Sequence, residues 1–418
     1  MKKVIFLYII ITLWCYGYDY PYKDPYLATV LATPSKDMSK FENINYKEIG
    51  LNLKGGNVPP NLWYLNGFKF GLMAQRQKAP LIFLLAGTGA QYNSYQMITM
   101  SRILYQNGFS VIMLPTSFDY NFIVSASKTH APGFLKKDSS EVYDIMKLAF
   151  NKIKNKVQYD DIYLAGYSLG GTTALVVGEI DNREKVFNFK RIAAVNPTVN
   201  LYDSAKILDD LLDDNIKSEK ELDQLLQKVI LGVMQFSQND GITEIDEAAI
   251  YSLFNQLHMD KKELKTLIGI AFRFISIDIN YITDIMTNSG VYTDPDDQIT
   301  KFQDMSTYYS TINYSDFQDY IERVGFKTHK KLDKTLTMEK MIENSSLKII
   351  HNYLKDAENI AVFTNEDELI LTSDNLKYLK NTMEDKIKVY PYGGHCGNMF
   401  YKDNIASMIN YLKRGELR

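Results

Sequence analysis

The chain has 418 residues, a formal net charge of −3, 45% hydrophobic and 23% charged residues. Such a balance is ordinary for a globular protein and supplies ample material for a large core. It offers no basic field to recruit nucleic acid, and no Cys/His spacing suggests zinc.

The first residues read as an export signal. Lys2 and Lys3 form a charged start, and Val4 to Trp14 is an apolar run too short to span a bilayer comfortably. Cys15-Tyr16-Gly17 then places small residues at −3 and −1 for cleavage before Tyr18. Losing the two lysines takes the charge from −3 to −5. Acylation on Cys15 is disfavoured, because Thr12 and Trp14 stand where a lipobox wants Leu and a small residue. The expected product is periplasmic or secreted, with a lipoprotein and a retained anchor as the alternatives. Cleavage leaves Cys396 as the sole cysteine, so no intrachain disulfide forms.

Residues 18–40, rich in Tyr and Pro, read as an irregular arm. Tyr46 to Leu53 and Leu62 to Met73 alternate like an antiparallel strand pair. Pro80 to Ala86 is a continuous apolar run, as a strand covered on both faces requires, and it ends in Gly87-Thr88-Gly89. Tyr95 to Asn107 reads as a helix, Phe109 to Leu114 as a buried strand, and the stretch after Pro115 as a long loop. Asp138 to Val157 reads as an amphipathic helix, and Lys190 to Val195 as a further strand. The alternation of strand and helix over residues 80–200 calls for a parallel sheet with helices on both faces, and for a site beyond the C-terminal strand ends.

From Leu201 to about Lys355 the pattern becomes helical, with Ser218 to Gln238, Glu244 to His258, Lys261 to Thr287 and Tyr314 to Val324 as helices. Within it, Leu267 to Ile275 is apolar nearly all round. It reads as a buried helix of the insertion, with a lipid- or substrate-facing lid helix as the alternative. Beyond Leu354 the sheet pattern returns. Asn359 to Thr364 and Lys386 to Tyr390 are strands, and Leu376 to Thr382 and Asp403 to Lys413 are helices. The divisions are therefore a signal peptide (1–17), a first core part (18–200), a helical lid insertion (201–355) and a second core part (356–418).

Between strand and helix lies Gly166-Tyr167-Ser168-Leu169-Gly170. A serine hydroxyl is a weak nucleophile and must be raised from the sheet to where a base and a carbonyl can reach it. The candidate acid Asp367 lies in Asn365-Glu366-Asp367-Glu368-Leu369-Ile370, with Glu366 and Glu368 as neighbours that could be confused with it. The candidate base His395 lies in Gly393-Gly394-His395-Cys396-Gly397. Of five histidines it alone follows a terminal strand within a Gly-rich turn, although His130 also sits in a loop near the site.

In these motifs and their order, over about 80–200 and 355–415, the chain resembles the α/β-hydrolase superfamily. The resemblance implies a mostly parallel sheet flanked by helices, with a helical lid entering after the sixth strand. It also implies a nucleophile at Ser168, an acid at Asp367 and a base at His395. The oxyanion hole is expected from the backbone N–H of Leu169 and from Thr88, with Gly89 next. Many members carry His-Gly where this chain has Ala86-Gly87.

The activity expected is that of an exported serine hydrolase cleaving an acyl ester through a covalent ester on Ser168, an acyl transfer that needs neither a metal nor a cofactor. The large lid and its apolar helix favour a small-molecule or lipid acyl substrate, with peripheral membrane contact through the lid as a further expectation. A peptidase or thioesterase would use the same groups. The competing class is a non-catalytic binding or envelope protein that keeps the fold.

Overall fold

A computed structural model describes residues 17–417, apart from 54–57, 219, 226, 229–258, 297–298 and 304–314. The expected signal sequence, most of Ser218 to Gln238 and all of Glu244 to His258 lie outside the described residues.

Eight strands form one sheet: β1 (Lys47–Leu51), β2 (Phe68–Met73), β3 (Ala79–Leu85), β4 (Ser110–Leu114), β5 (Tyr159–Tyr167), β6 (Ile192–Val195), β7 (Ile360–Asn365) and β8 (Ile387–Tyr390). Their order is β1-β2-β4-β3-β5-β6-β7-β8. β2 runs antiparallel to both β1 and β4, and every other pairing is parallel. The described helices are α1 (Pro25–Leu31), α2 (Tyr95–Gln106), α3 (Tyr120–Ser125), α4 (Leu135–Ile153), α5 (Leu169–Glu184), α6 (Leu201–Asp213) and α7 (Lys261–Thr287). α8 (Phe317–Tyr320) runs through a π-helical turn, Ile321–Gly325, into α9 (Phe326–Leu332). α10 (Met338–Glu343), α11 (His351–Asp356), α12 (Ser373–Met383) and α13 (Lys402–Arg414) follow.

The apolar run of β3 is continuous because both faces of the sheet are covered. Successive side chains point to opposite faces. Leu81, Phe83 and Leu85 meet Met146 of α4 and Leu175 of α5 in one core, whereas Ile82 and Leu84 meet Met97 of α2 and Met408 of α13 in the other. This is the mostly parallel, helix-flanked sheet that the resemblance implies.

Three local expectations are corrected. Residues 18–40 are not simply irregular: α1 forms there, with Pro25 opening it and Asp24 accepting from the N–H groups of Tyr26 (2.9 Å) and Leu27 (3.0 Å). Leu62 to Met73 is not one strand. A 3₁₀ turn at Pro60–Leu65 follows the proline pair, and Asn66-Gly67 breaks it from β2. The stretch after Pro115 holds α3, because the buried Asp119 carboxylate caps Asn121 and Phe122.

Between β6 and β7 the described segments are helical. α7 starts on a capping box between Asp260 and Glu263. Its Phe272, Ile279 and Ile282 belong to the same apolar cluster as Phe83 and Leu175, so this segment shares the core of the sheet. By length and composition α7 could cross a membrane, yet more than half of its most apolar stretch is buried within the protein.

The return from α5 to β6 hangs on one buried carboxylate. Asp181 accepts from Tyr143 Oη at 2.7 Å, from Phe187 N at 2.8 Å and from Phe189 N at 3.4 Å. Removing it strands those donors in an aromatic cluster of Phe83, Tyr143, Phe187 and Phe189. Asp181→Ala is expected to destabilise the protein by about 3 kcal/mol in urea unfolding, as befits a buried acceptor of several hydrogen bonds.

Candidate active site

β5 ends at Tyr167 and α5 begins at Leu169, so a single residue turns strand into helix. That residue, Ser168, takes φ 54° and ψ −127°, a conformation unfavourable for any side chain with a Cβ. The turn survives because strand and helix approach at glycine. A Cβ on Gly166 would lie 2.2 Å from Gly170 O, and one on Gly170 would lie 2.3 Å from Leu85 O. The Ser168 N–H donates to Val195 O at 2.8 Å, which ties the turn to β6.

The structure brings His395 to Ser168: Nε2 is 2.9 Å from Ser168 Oγ. Its Nδ1 meets a carboxylate at 2.8 Å, and that carboxylate belongs to Glu368, not to the expected Asp367. The turn after β7 sends the three acidic side chains in different directions. Glu366 points to solvent and pairs with Lys380 Nζ at 2.6 Å. Asp367 turns to the histidine's own loop and accepts from Gly393 N (3.2 Å) and Gly394 N (3.0 Å). Glu368 is buried, with Oε1 on His395 and its other oxygen on Asn196 Nδ2. Asn196, just past β6, is a site residue that the sequence reading missed.

The electrostatics follow from these partners. Burial alone would lower the His395 pKa, but the adjacent Cys396 sulfur and the Glu368 carboxylate outweigh it and hold the imidazolium well above the usual 6.5. Burial raises Asp367, with the Gly394 and Gly393 N–H groups opposing. Cys396 Sγ lies 3.8 Å from His395 Nε2.

Thr88, Ser168 and Leu169 line one pocket of about 40 Å³, whose further wall includes Phe118, Leu201, Ala205, Leu208, Phe272 and Phe317. Leu169 opens α5, so its N–H has no acceptor within the helix. Gly89 lies off that pocket, at φ 69° against the Ile275 side chain of α7. His130 and His329 each have a structural partner. His130 Nδ1 sits 2.6 Å from Ile123 O, and His329 Nε2 sits 2.8 Å from Ala131 O, with burial lowering the His329 pKa to about 4.

No protein-family model and no curated protein matches the sequence. Solved structures that superpose on the chain include a fungal esterase from Rhizomucor miehei, 11% identical over 94% of this chain and 97% of that one, with a TM-score of 0.45. Another is a hyperthermophilic esterase from the archaeon Pyrobaculum calidifontis, 13% identical over 94% of this chain and 88% of its own, at 0.40. The thioesterase domain of the curacin biosynthetic pathway matches at 11% identity over 88% of this chain and 100% of its own, at 0.39.

The geometry separates the two neighbouring carboxylates by experiment. If the site hydrolyses esters, Glu368→Gln is expected to lower kcat/KM for a chromogenic ester by about 10³ to 10⁴-fold, the loss typical of an acid that orients a catalytic imidazole. Asp367→Asn is expected to cost far less. If His395 is the base, kcat/KM rises with pH as the imidazolium loses its proton, with a midpoint above 6.5. Glu368→Gln removes a charge that favours the cation, so this midpoint should move to lower pH in a pH–rate profile.

Proposed function

We propose that this protein is a serine hydrolase that cleaves carboxylic esters through an acyl-enzyme on Ser168. The observation that carries the reading is the continuous chain from Ser168 Oγ through His395 to the buried Glu368 carboxylate, at 2.9 and 2.8 Å. His395 Nε2 removes the hydroxyl proton while Oγ attacks the acyl carbonyl. Glu368 accepts the Nδ1 proton's hydrogen bond and stabilises the imidazolium that forms. The N–H groups of Leu169 and Thr88 are the donors proposed for the resulting oxyanion, each of a kind worth about 3 kcal/mol in the transition state.

His395 then gives the proton to the leaving alkoxide, and the alcohol departs. Water, deprotonated by the same nitrogen, attacks the acyl group on Ser168. Collapse of the second tetrahedral intermediate releases the acid and restores the serine. Ester and water thus become acid and alcohol, with every proton passing through Nε2.

The pocket beside Ser168 supports an apolar acyl group and, at about 40 Å³, a short one. α7 contributes Phe272 to its wall, which supports a lid role for the helical segment. The reading includes export. Gly17 is exposed, whereas Tyr18, the first residue of the expected mature chain, is packed among tyrosines and bonds through its hydroxyl to Asn404 at 3.0 Å.

A fluorophosphonate probe tests the reading. The wild type is expected to label, and Ser168→Ala and His395→Ala are not. A folded wild type that does not label would favour a binding protein. On a series of p-nitrophenyl esters, acetate and butyrate should exceed decanoate. Leu208→Ala should shift the preference toward longer chains, by about 10-fold for each added methylene that finds room.

A further inference from the structure

His395 sits in a loop of unusual backbone. Gly393, Gly394 and Cys396 all have positive φ, and Cys396 at 60° carries a side chain there. Contacts from outside help to fix the loop, and through it the imidazole. Three come from the end of β7 and the turn after it. Asp367 takes the N–H groups of Gly393 and Gly394, and Asn365 Nδ2 donates to Gly394 O at 2.6 Å.

Two further hydrogen bonds come from more than 360 residues away in sequence. Thr29, on α1, accepts the His395 N–H at 2.8 Å and donates its own hydroxyl proton to Pro25 O at 2.7 Å. With that proton engaged, the lone pairs of Oγ1 remain for the histidine backbone. Four residues further on, Thr33 Oγ1 donates to Gly397 O at 2.8 Å. α1 lies so close to the loop that a Cβ on Gly394 would fall 2.2 Å from Pro25 O and 2.4 Å from Thr29 Oγ1. Tyr20, Tyr22, Ala28, Leu31 and Tyr401 bury the segment in an apolar cluster of its own.

We propose that the N-terminal segment is a strap that sets the catalytic histidine, with Thr29 as a positioning residue for His395. The inference rests on the hydrolase reading of Ser168. Thr29 touches neither substrate nor the reacting atoms. It holds the backbone from which the imidazole reaches both Glu368 and Ser168. A histidine displaced by a fraction of an ångström still folds into place but transfers protons poorly.

The test uses the full chain with Thr29→Val, Thr29→Ala and Thr29→Ser, and reads steady-state ester kinetics, the fluorophosphonate labelling rate and the thermal midpoint. Thr29→Val is expected to remain folded, to lose about 10- to 100-fold in kcat with KM within about twofold, and to label correspondingly slowly. Thr29→Ala, which deletes the hydroxyl by another route, should behave alike. Thr29→Ser, which keeps it, should recover most of the rate. A folded Thr29→Val with wild-type kcat and labelling overturns the proposal while leaving the Ser168 reading intact. So does a Thr29→Ser as slow as Thr29→Val. Loss of folded protein in Thr29→Val and Thr29→Ala alike also overturns it, since the residue would then hold the fold rather than the histidine. A wild type that fails to label overturns the hydrolase reading, and the strap's role with it.

Discussion

One strained residue organises the site. Ser168 must hold φ 54° between β5 and α5, at a cost of roughly 1–3 kcal/mol for such a backbone. What over-determines it is backbone contact: Gly170 lies against the carbonyls of β3, Gly166 lies against Gly170, and Val195 of β6 takes the Ser168 N–H. Three adjacent parallel strands thus converge on one turn. The sheet is the device that aims the hydroxyl, and the two cores on its faces hold the sheet rigid.

Around that fixed point the other groups arrive on loops, as expected at the C-terminal ends of parallel strands. β7 delivers Glu368, β6 delivers Asn196 and β8 delivers His395. Glu368 can be buried because both its oxygens find partners, one on the imidazole and one on the amide of Asn196. An unpaired carboxylate at that depth would be costly and would drift toward its neutral form. The histidine loop is stitched from two sides, by the end of β7 with its turn and by the α1 segment.

Much of this was legible in the sequence because the signals are local. The apolar run of β3, the alternation of elements and the Gly-x-Ser-x-Gly turn each depend on a few adjacent residues. His395 could be picked from five histidines by its place after a terminal strand. The acid could not be settled in the same way. Glu366, Asp367 and Glu368 share one turn and one charge, and only the rotation of that turn decides which carboxylate meets the imidazole. The longer Glu368 side chain is buried, whereas Asp367 spends its oxygens on the backbone of Gly393 and Gly394. The α1 strap was legible in part. Asp24-Pro25 is a helix-start signal that the Tyr-rich composition obscured, but its docking on a loop near residue 395 is a tertiary fact that no short-range pattern encodes.

The central claim is that Ser168 itself carries the acyl group during turnover. The direct measurement is acid-quenching the protein during hydrolysis of a slowly deacylated ester, followed by peptide mapping by mass spectrometry. The account predicts one added acyl mass, confined to the peptide bearing Ser168 and absent in Ser168→Ala. Turnover with no acyl on that serine, or with the acyl on another residue, would contradict it.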